Sequence, residues 1–224
     1  MVACFLLTAC AGEAVSVSSS TPSPPSEPVA SSTARANSGG RPAEDLPIDM
    51  ETVTYDDTLE DVVEYRHGDY VFELPRDWEV VDGADQGLLN GLFLLPPGAD
   101  KSDFRFSAHV GLELYDGSSL YPEGAPDFSD PEVQESFFAY QTISVYSKMS
   151  GLSDLEFMVW ESAQGMVYIE QFKRSNDTLT MYQTTYHLMH PERDVAVNAA
   201  HFGEDATPGV EEVARHAVNT FHEA

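Results

Sequence analysis

Beyond position 10 the chain has no cysteine: Cys4 and Cys10 are the two in its 224 residues. The rest therefore offers no thiol nucleophile, no disulfide framework and no zinc–thiolate site. A thiol-free body suits an oxidising exterior, where an unpaired cysteine is a liability. Positive charge is also scarce, with 11 Lys and Arg against 38 Asp and Glu and a formal net charge of −27. Such a surface repels nucleic acid and anionic lipid, so nucleic acid is not an expected partner. Abundant carboxylates alone mean solvation, because cation capture needs oxygens clustered in a shaped loop. No run approaches the roughly 18 apolar residues that a membrane-spanning helix needs. The chain also lacks G-x-S-x-G, P-loop, G-x-G-x-x-G and H-E-x-x-H motifs. The local signs of hydrolase, nucleotide and zinc chemistry are thus missing.

What is present begins with a short greasy run, Phe5-Leu6-Leu7-Thr8-Ala9-Cys10. An apolar segment followed by small residues is the pattern of a signal-peptide cleavage site. Leu7-Thr8-Ala9-Cys10 resembles the lipobox of bacterial lipoproteins. That resemblance implies acylation of the Cys10 thiol, cleavage before it, and lipid anchoring on the extracytoplasmic face of the cell membrane. Residues 1–9 then read as a truncated signal peptide. They carry no Lys or Arg, so the basic leader of such peptides is expected upstream of Met1.

Residues 10–49 read as a disordered tether. Ser, Pro, Thr, Ala and Gly dominate its first part, and bulky apolar residues are too few to form a core. About 35 flexible residues span roughly 30–35 Å. Between Glu44 and Glu64 the chain is acidic without a single basic residue, yet the alternating oxygens and mid-loop glycine of a calcium loop are absent. This stretch, including Tyr55-Asp56-Asp57, is read as a solvated lead-in to a globular domain over residues 50–224.

Hydrophobic residues make up 42% of the chain and aromatics 11%, enough for a normal core. Tyr70–Pro75 alternates as a strand, Arg76–Val81 resumes the pattern as its pair, and Gly91–Leu95 is a short buried strand stopped by two prolines. Phe104–Tyr115 reads as a longer strand. Asp130-Pro131-Glu132 opens a helix, with a capping carboxylate, proline at the first helical position and an acid in the first turn. It runs to about Met149, and Phe137, Phe138, Tyr140 and Tyr146 are its core aromatics. Four strand-like runs follow between Leu155 and Phe202, joined by short polar turns that imply antiparallel neighbours. A last helix starts at Thr207-Pro208, and its stripe Val210, Val213, Ala214, Ala217, Val218, Phe221 must cover one sheet face. The expected fold is α+β, a mainly antiparallel sheet between helices.

Phe72-Glu73-Leu74-Pro75-Arg76-Asp77-Trp78 resembles the opening strand of PsbP-like domains, and the Asp177–Met189 and Val195–Phe202 strands with the terminal helix are similar to their closing half. With the lipobox and tether, the likeness points to the LpqN-type bacterial lipoproteins. It implies a PsbP-like α/β/α sandwich with Trp78 and Phe221 in the packed interior, and it carries over no catalytic residue and no cofactor. Other candidate residues are weak. His187 and His190 near Glu192 are spaced by three at a strand–turn junction, which places His187 on a strand face and His190 in the turn, so no metal site is expected. His201 alternates with Val195 and Val197 and reads as a hydrogen-bonded core residue. Asn176-Asp177-Thr178 matches a glycosylation sequon, but a polar turn explains it.

Two function classes follow. The first is a non-catalytic binding or assembly module, not an enzyme, held at the membrane by Cys10 and facing a protein or cell-envelope partner. The alternative is an exported hydrolase whose Ser, His and Asp assemble only in the fold.

Overall fold

The alternation along residues 152–202 produces a meander of long strands, and the rest of the chain is laid against it. The computed structural model describes residues 50–83, 91–101, 107–116, 127–146, 150–190, 193–203 and 209–224. Cys10 and the tether lie outside them. In chain order the strands are β1 (Glu51–Val53), β2 (Val62–His67), β3 (Tyr70–Pro75), β4 (Glu79–Asp82), β5 (Gly91–Leu95) and β6 (His109–Asp116). Helix α1 (Pro131–Tyr146) follows, then β7 (Leu152–Ser162), β8 (Gly165–Ser175), β9 (Thr180–His190) and β10 (Arg193–Phe202). Helix α2 (Val210–Thr220) and β11 (His222–Glu223) close the chain.

An eight-stranded sheet runs β1-β7-β8-β9-β10-β6-β5-β4, antiparallel throughout except for β1, which lies parallel to β7. A three-stranded sheet runs β11-β3-β2. The α+β architecture with a mainly antiparallel sheet between helices is therefore the observed one. The polar turns close as expected: the Asn176 side chain accepts from the Thr178 and Leu179 amides at 2.9 and 2.8 Å and fastens the β8–β9 hairpin.

The two faces of the large sheet are buried by different helices. On one face, Leu94, Val110, Leu112, Ile169, Val195 and Val197 pack with the apolar stripe of α2 and with Phe72 and Leu74 of β3. On the other, Phe137 and Phe138 of α1 pack with Phe128, Tyr168 and Met189. Helix α1 starts where the sequence places it: the Asp130 carboxylate accepts from the Glu132 amide at 3.0 Å, and Pro131 occupies the first turn. The side chains of Tyr140 and Tyr146 lie outside the description.

Several expectations need correction. Arg76–Val81 does not pair with Tyr70–Pro75, because β3 joins the small sheet and β4 the edge of the large one. The small sheet takes β3 because the chain's last strand supplies its free edge, a pairing too distant in sequence for local pattern to reveal. Trp78 is half-buried against the core, and the tryptophan within it is Trp160, 6% exposed. Helix α2 begins at Val210 behind Gly209; Thr207 and Pro208 lie outside the described residues. Phe221 follows α2 in extended conformation and stacks on Tyr70 at 5.3 Å between ring centroids. Of the Phe104–Tyr115 run, His109 onward is strand, and Phe104 and Phe106 lie outside the described residues. The acidic lead-in is not merely solvated either. It contributes β1 and the start of β2, and Tyr55 meets the Trp160 ring edge-on at 5.3 Å.

Gly151, ahead of β7, has a φ of +75°, and a Cβ there would meet the Ser175 carbonyl at 2.1 Å. That close approach is held by the Ser175 amide donating to the Gly151 carbonyl at 2.9 Å. Gly151→Ala is expected to destabilise by about 1–3 kcal/mol, read as a lower midpoint in urea. An unchanged midpoint would mean that this end of the β7–β8 hairpin is not closed as described.

Candidate functional site

A sheet face buried beneath a helix is ordinarily apolar, since that burial is what holds the layers together. The α2 face obeys this rule and the α1 face does not. Pairing puts Glu170, Thr185 and Asn198 in one row across β8, β9 and β10, with Gly111 of β6 and Phe93 of β5 continuing it. The neighbouring row holds Tyr168, His187, Ala196 and Glu113. Burying so many polar groups costs free energy unless each finds a partner.

His187 stands at the centre. Its Nδ1 lies 3.1 Å from Asp194 Oδ2, and its Nε2 lies 3.7 Å from Glu170 Oε1, an ion-pair contact too long for a hydrogen bond. Thr142 of α1 donates to the other Glu170 oxygen at 3.3 Å, and the Phe138 ring closes over the imidazole at 5.5 Å. Burial alone would depress the His187 pKa. The charge and hydrogen bond of Asp194, helped by the nearby Glu170 carboxylate, outweigh it and hold the group up to about 10. His187 is thus an imidazolium at neutral pH, with both ring N–H groups turned to carboxylates. In that state it has no lone pair for general-base work or for a metal. The chemistry it performs is charge compensation between β8, β9, β10 and α1. Tyr168 adds a further tie, donating to the Pro131 carbonyl at 3.4 Å, and burial with the nearby Glu135 pushes its phenol up to about 12.

Beside His187 the polar face continues through hydroxyl and amide groups to the Glu113 carboxylate. The Asn198 Oδ1 accepts from the Thr185 hydroxyl at 2.8 Å and from Gln183 Nε2 at 3.2 Å, while Asn198 Nδ2 donates to Glu113 at 3.2 Å. Gln183, Asn198 and Glu113, in three adjacent rows, are partly exposed, whereas Gly111, Ala200 and His109 beside them are buried. His109 lies between the rings of Phe93 and Phe202, 5.4 and 6.4 Å from them.

No protein-family model matches the chain, and no curated protein matches it. Among solved structures it is similar to the solution structure of cyanobacterial PsbP (CyanoP) from Synechocystis sp. PCC 6803. The two share 12% identity with a TM-score of 0.45, over 75% of this chain and 95% of that one.

A second bracketed histidine lies at the edge of the α2 layer. His216 Nδ1 is 2.8 Å from both Asp57 oxygens, and its Nε2 is 3.2 Å from Glu73 Oε2. Burial alone would raise the Asp57 carboxyl, and the hydrogen bond and charge of His216 bring it below the usual range instead. This contact ties the acidic lead-in to β3 and α2. Arg215 stacks over the Tyr55 ring at 4.6 Å beside it.

The candidate residues read from the sequence do not converge. His190 is the last residue of β9, not part of a turn, and faces Glu223 at 3.7 Å, while Glu192 lies outside the described residues. Among the described residues no group of three His, Cys, Asp or Glu is arranged to hold a metal. His201 is half-exposed and stacks flat on Tyr182 at 4.9 Å, with its Nδ1 making no hydrogen bond, so the hydrogen-bonded core reading is corrected. Sequence reading missed Glu170, Asp194, Thr185 and Asn198. The period-two run Gln183, Thr185, His187 was the available signal, since it puts three polar side chains of β9 on one buried face.

Proposed function

We propose that the chain is a lipid-anchored, extracytoplasmic lipoprotein of the LpqN type with a PsbP-like domain that binds or assembles and does not catalyse. The observation that carries the non-catalytic reading is the state of its two bracketed histidines. His187 and His216 each turn both ring nitrogens to carboxylates. A hydrolase needs an imidazole with one nitrogen facing a nucleophilic hydroxyl. The Gln183 and Asn198 amides, in adjacent rows, instead bring donors and acceptors to a partly exposed part of the sheet face, which suits recognition. Support for the anchor comes from Leu7-Thr8-Ala9-Cys10 followed by the Ser- and Pro-rich stretch.

Cys10 decides the anchor. The full chain behind a complete leader is expected to pellet with host membranes and to take up labelled palmitate. Cys10→Ala is expected to lose the label and move to the soluble fraction. A Cys10→Ala protein that still pellets would end the lipoprotein reading.

A further inference from the structure

We propose that the outer edge of β2 is a pairing surface for β2 of a second copy of this chain, joining two small sheets across a two-fold axis. The proposal goes beyond the binding-module reading and stands without the anchor. An edge strand presents unpaired backbone groups, and folded proteins blunt such edges by shortness, bulges or cover. Among the described residues most edges are treated that way. Strand β1 has three residues, β4 four and β11 two. The part of β7 not paired with β1 carries a register shift between Ser153 and Glu156, with Asp154 at a φ of +53°. Strand β2 differs. It has six residues, pairs with β3 without a shift, and forms the outer side of the small sheet.

The Arg76 amide donates to the Asp61 carbonyl at 3.0 Å. Antiparallel pairing then turns the backbone groups of Val63, Tyr65 and His67 to β3 and those of Val62, Glu64 and Arg66 outward. Side chains alternate with the same period. Val63 and Tyr65 pack on the core, whereas Glu64 and Arg66 are exposed and, among the described residues, have no ion-pair partner. A second β2 can exchange hydrogen bonds only where outward residues face outward residues, so the allowed registers differ by steps of two. Two such registers overlap the strands most, one centred on Glu64 and one on Tyr65. The first opposes Glu64 to its own copy, a like-charge contact. The second places Glu64 opposite Arg66 of the second copy, and Arg66 opposite its Glu64. An edge protected by charge would carry one sign; this one is complementary to itself. The chain's net charge of −27 opposes loose association, so a locally matched contact is what brings two copies together.

The test uses the full chain under reducing conditions at physiological ionic strength. Sedimentation is expected to give a monomer when dilute and a dimer toward millimolar concentration. Hydrogen exchange of the Glu64 and Arg66 amides should slow as the dimer forms. Glu64→Arg and Arg66→Glu each oppose like charges in the Tyr65-centred register and are expected to weaken self-association about tenfold or more. Both side chains are exposed, so the thermal midpoints should stay at the wild-type value. An equimolar mixture of the two variants restores both ion pairs and should dimerise like the wild type. A monomer at every concentration, a dimer in which these amides still exchange freely, wild-type self-association in both variants, or no dimer in the mixture would overturn the proposal. An extended peptide of alternating valine and lysine is run in parallel. If it protects the same amides while the chain stays monomeric, the edge takes a foreign strand and the second-copy assignment falls. None of these results bears on Cys10, whose membrane fractionation tests the lipoprotein reading separately.

Discussion

His187→Ala is expected to cost about 3–5 kcal/mol, because it leaves two buried carboxylates without their cation. Asp194 is 0% exposed and cannot turn to water. With total stability of about 5–15 kcal/mol, the variant should be visibly compromised in urea. The double variant His187→Leu with Asp194→Leu is expected to be more stable than the single one, since it removes the more deeply buried of the two uncompensated charges as well. The wild-type protein should also reveal the imidazolium through pH. The folded pKa is raised above the unfolded value of 6.5 to about 10. Stability from this group is therefore complete below pH 6.5 and is lost as pH rises through about 10. Urea midpoints measured from pH 6 to about 10 should fall for the wild type and change much less for the double variant. Parallel profiles for the two would mean that His187 does not carry the charge.

The second large effect belongs to Phe221, which is 1% exposed where α2 ends and stacks on Tyr70. Phe221→Ala is expected to lose about 3–5 kcal/mol, the usual cost of emptying a buried aromatic site. Trp78→Ala should cost clearly less, because Trp78 is half-buried at the margin of the same core. Urea melts of the two variants rank them. Equal losses, or a wild-type midpoint for Phe221→Ala, would show that the helix end does not seal the small sheet against the large one.

Most of the architecture was legible because it rests on local periodicity. The period-two meander and the apolar stripe of α2 each declare their buried face within a dozen residues. The capping residues of α1 did the same for its start. The small sheet was not legible, because β11 is two residues long and β3 reads identically whichever sheet it joins. The α1 face was half-legible. Gln183, Thr185 and His187 alternate visibly along β9, but Glu170 and Asp194 belong to other strands, and only register brings them to the imidazole. Asp57 was read as solvated because its partner, His216, is 159 positions away. Cooperation between groups so far apart leaves no trace in either neighbourhood.

That separation also bears on how the chain acquires its structure. β1 closes on β7, Asp57 on His216 and β3 on β11, so the first strands are completed by the last ones. Closing such long loops costs entropy before any contact repays it, and topologies of this kind fold slowly, from milliseconds to seconds. An emerging N-terminal segment has no native partner until the C-terminal residues are available. The β2–β3 hairpin must wait with one edge open. If the chain is exported as proposed, that delay is an advantage, since premature folding would block its passage.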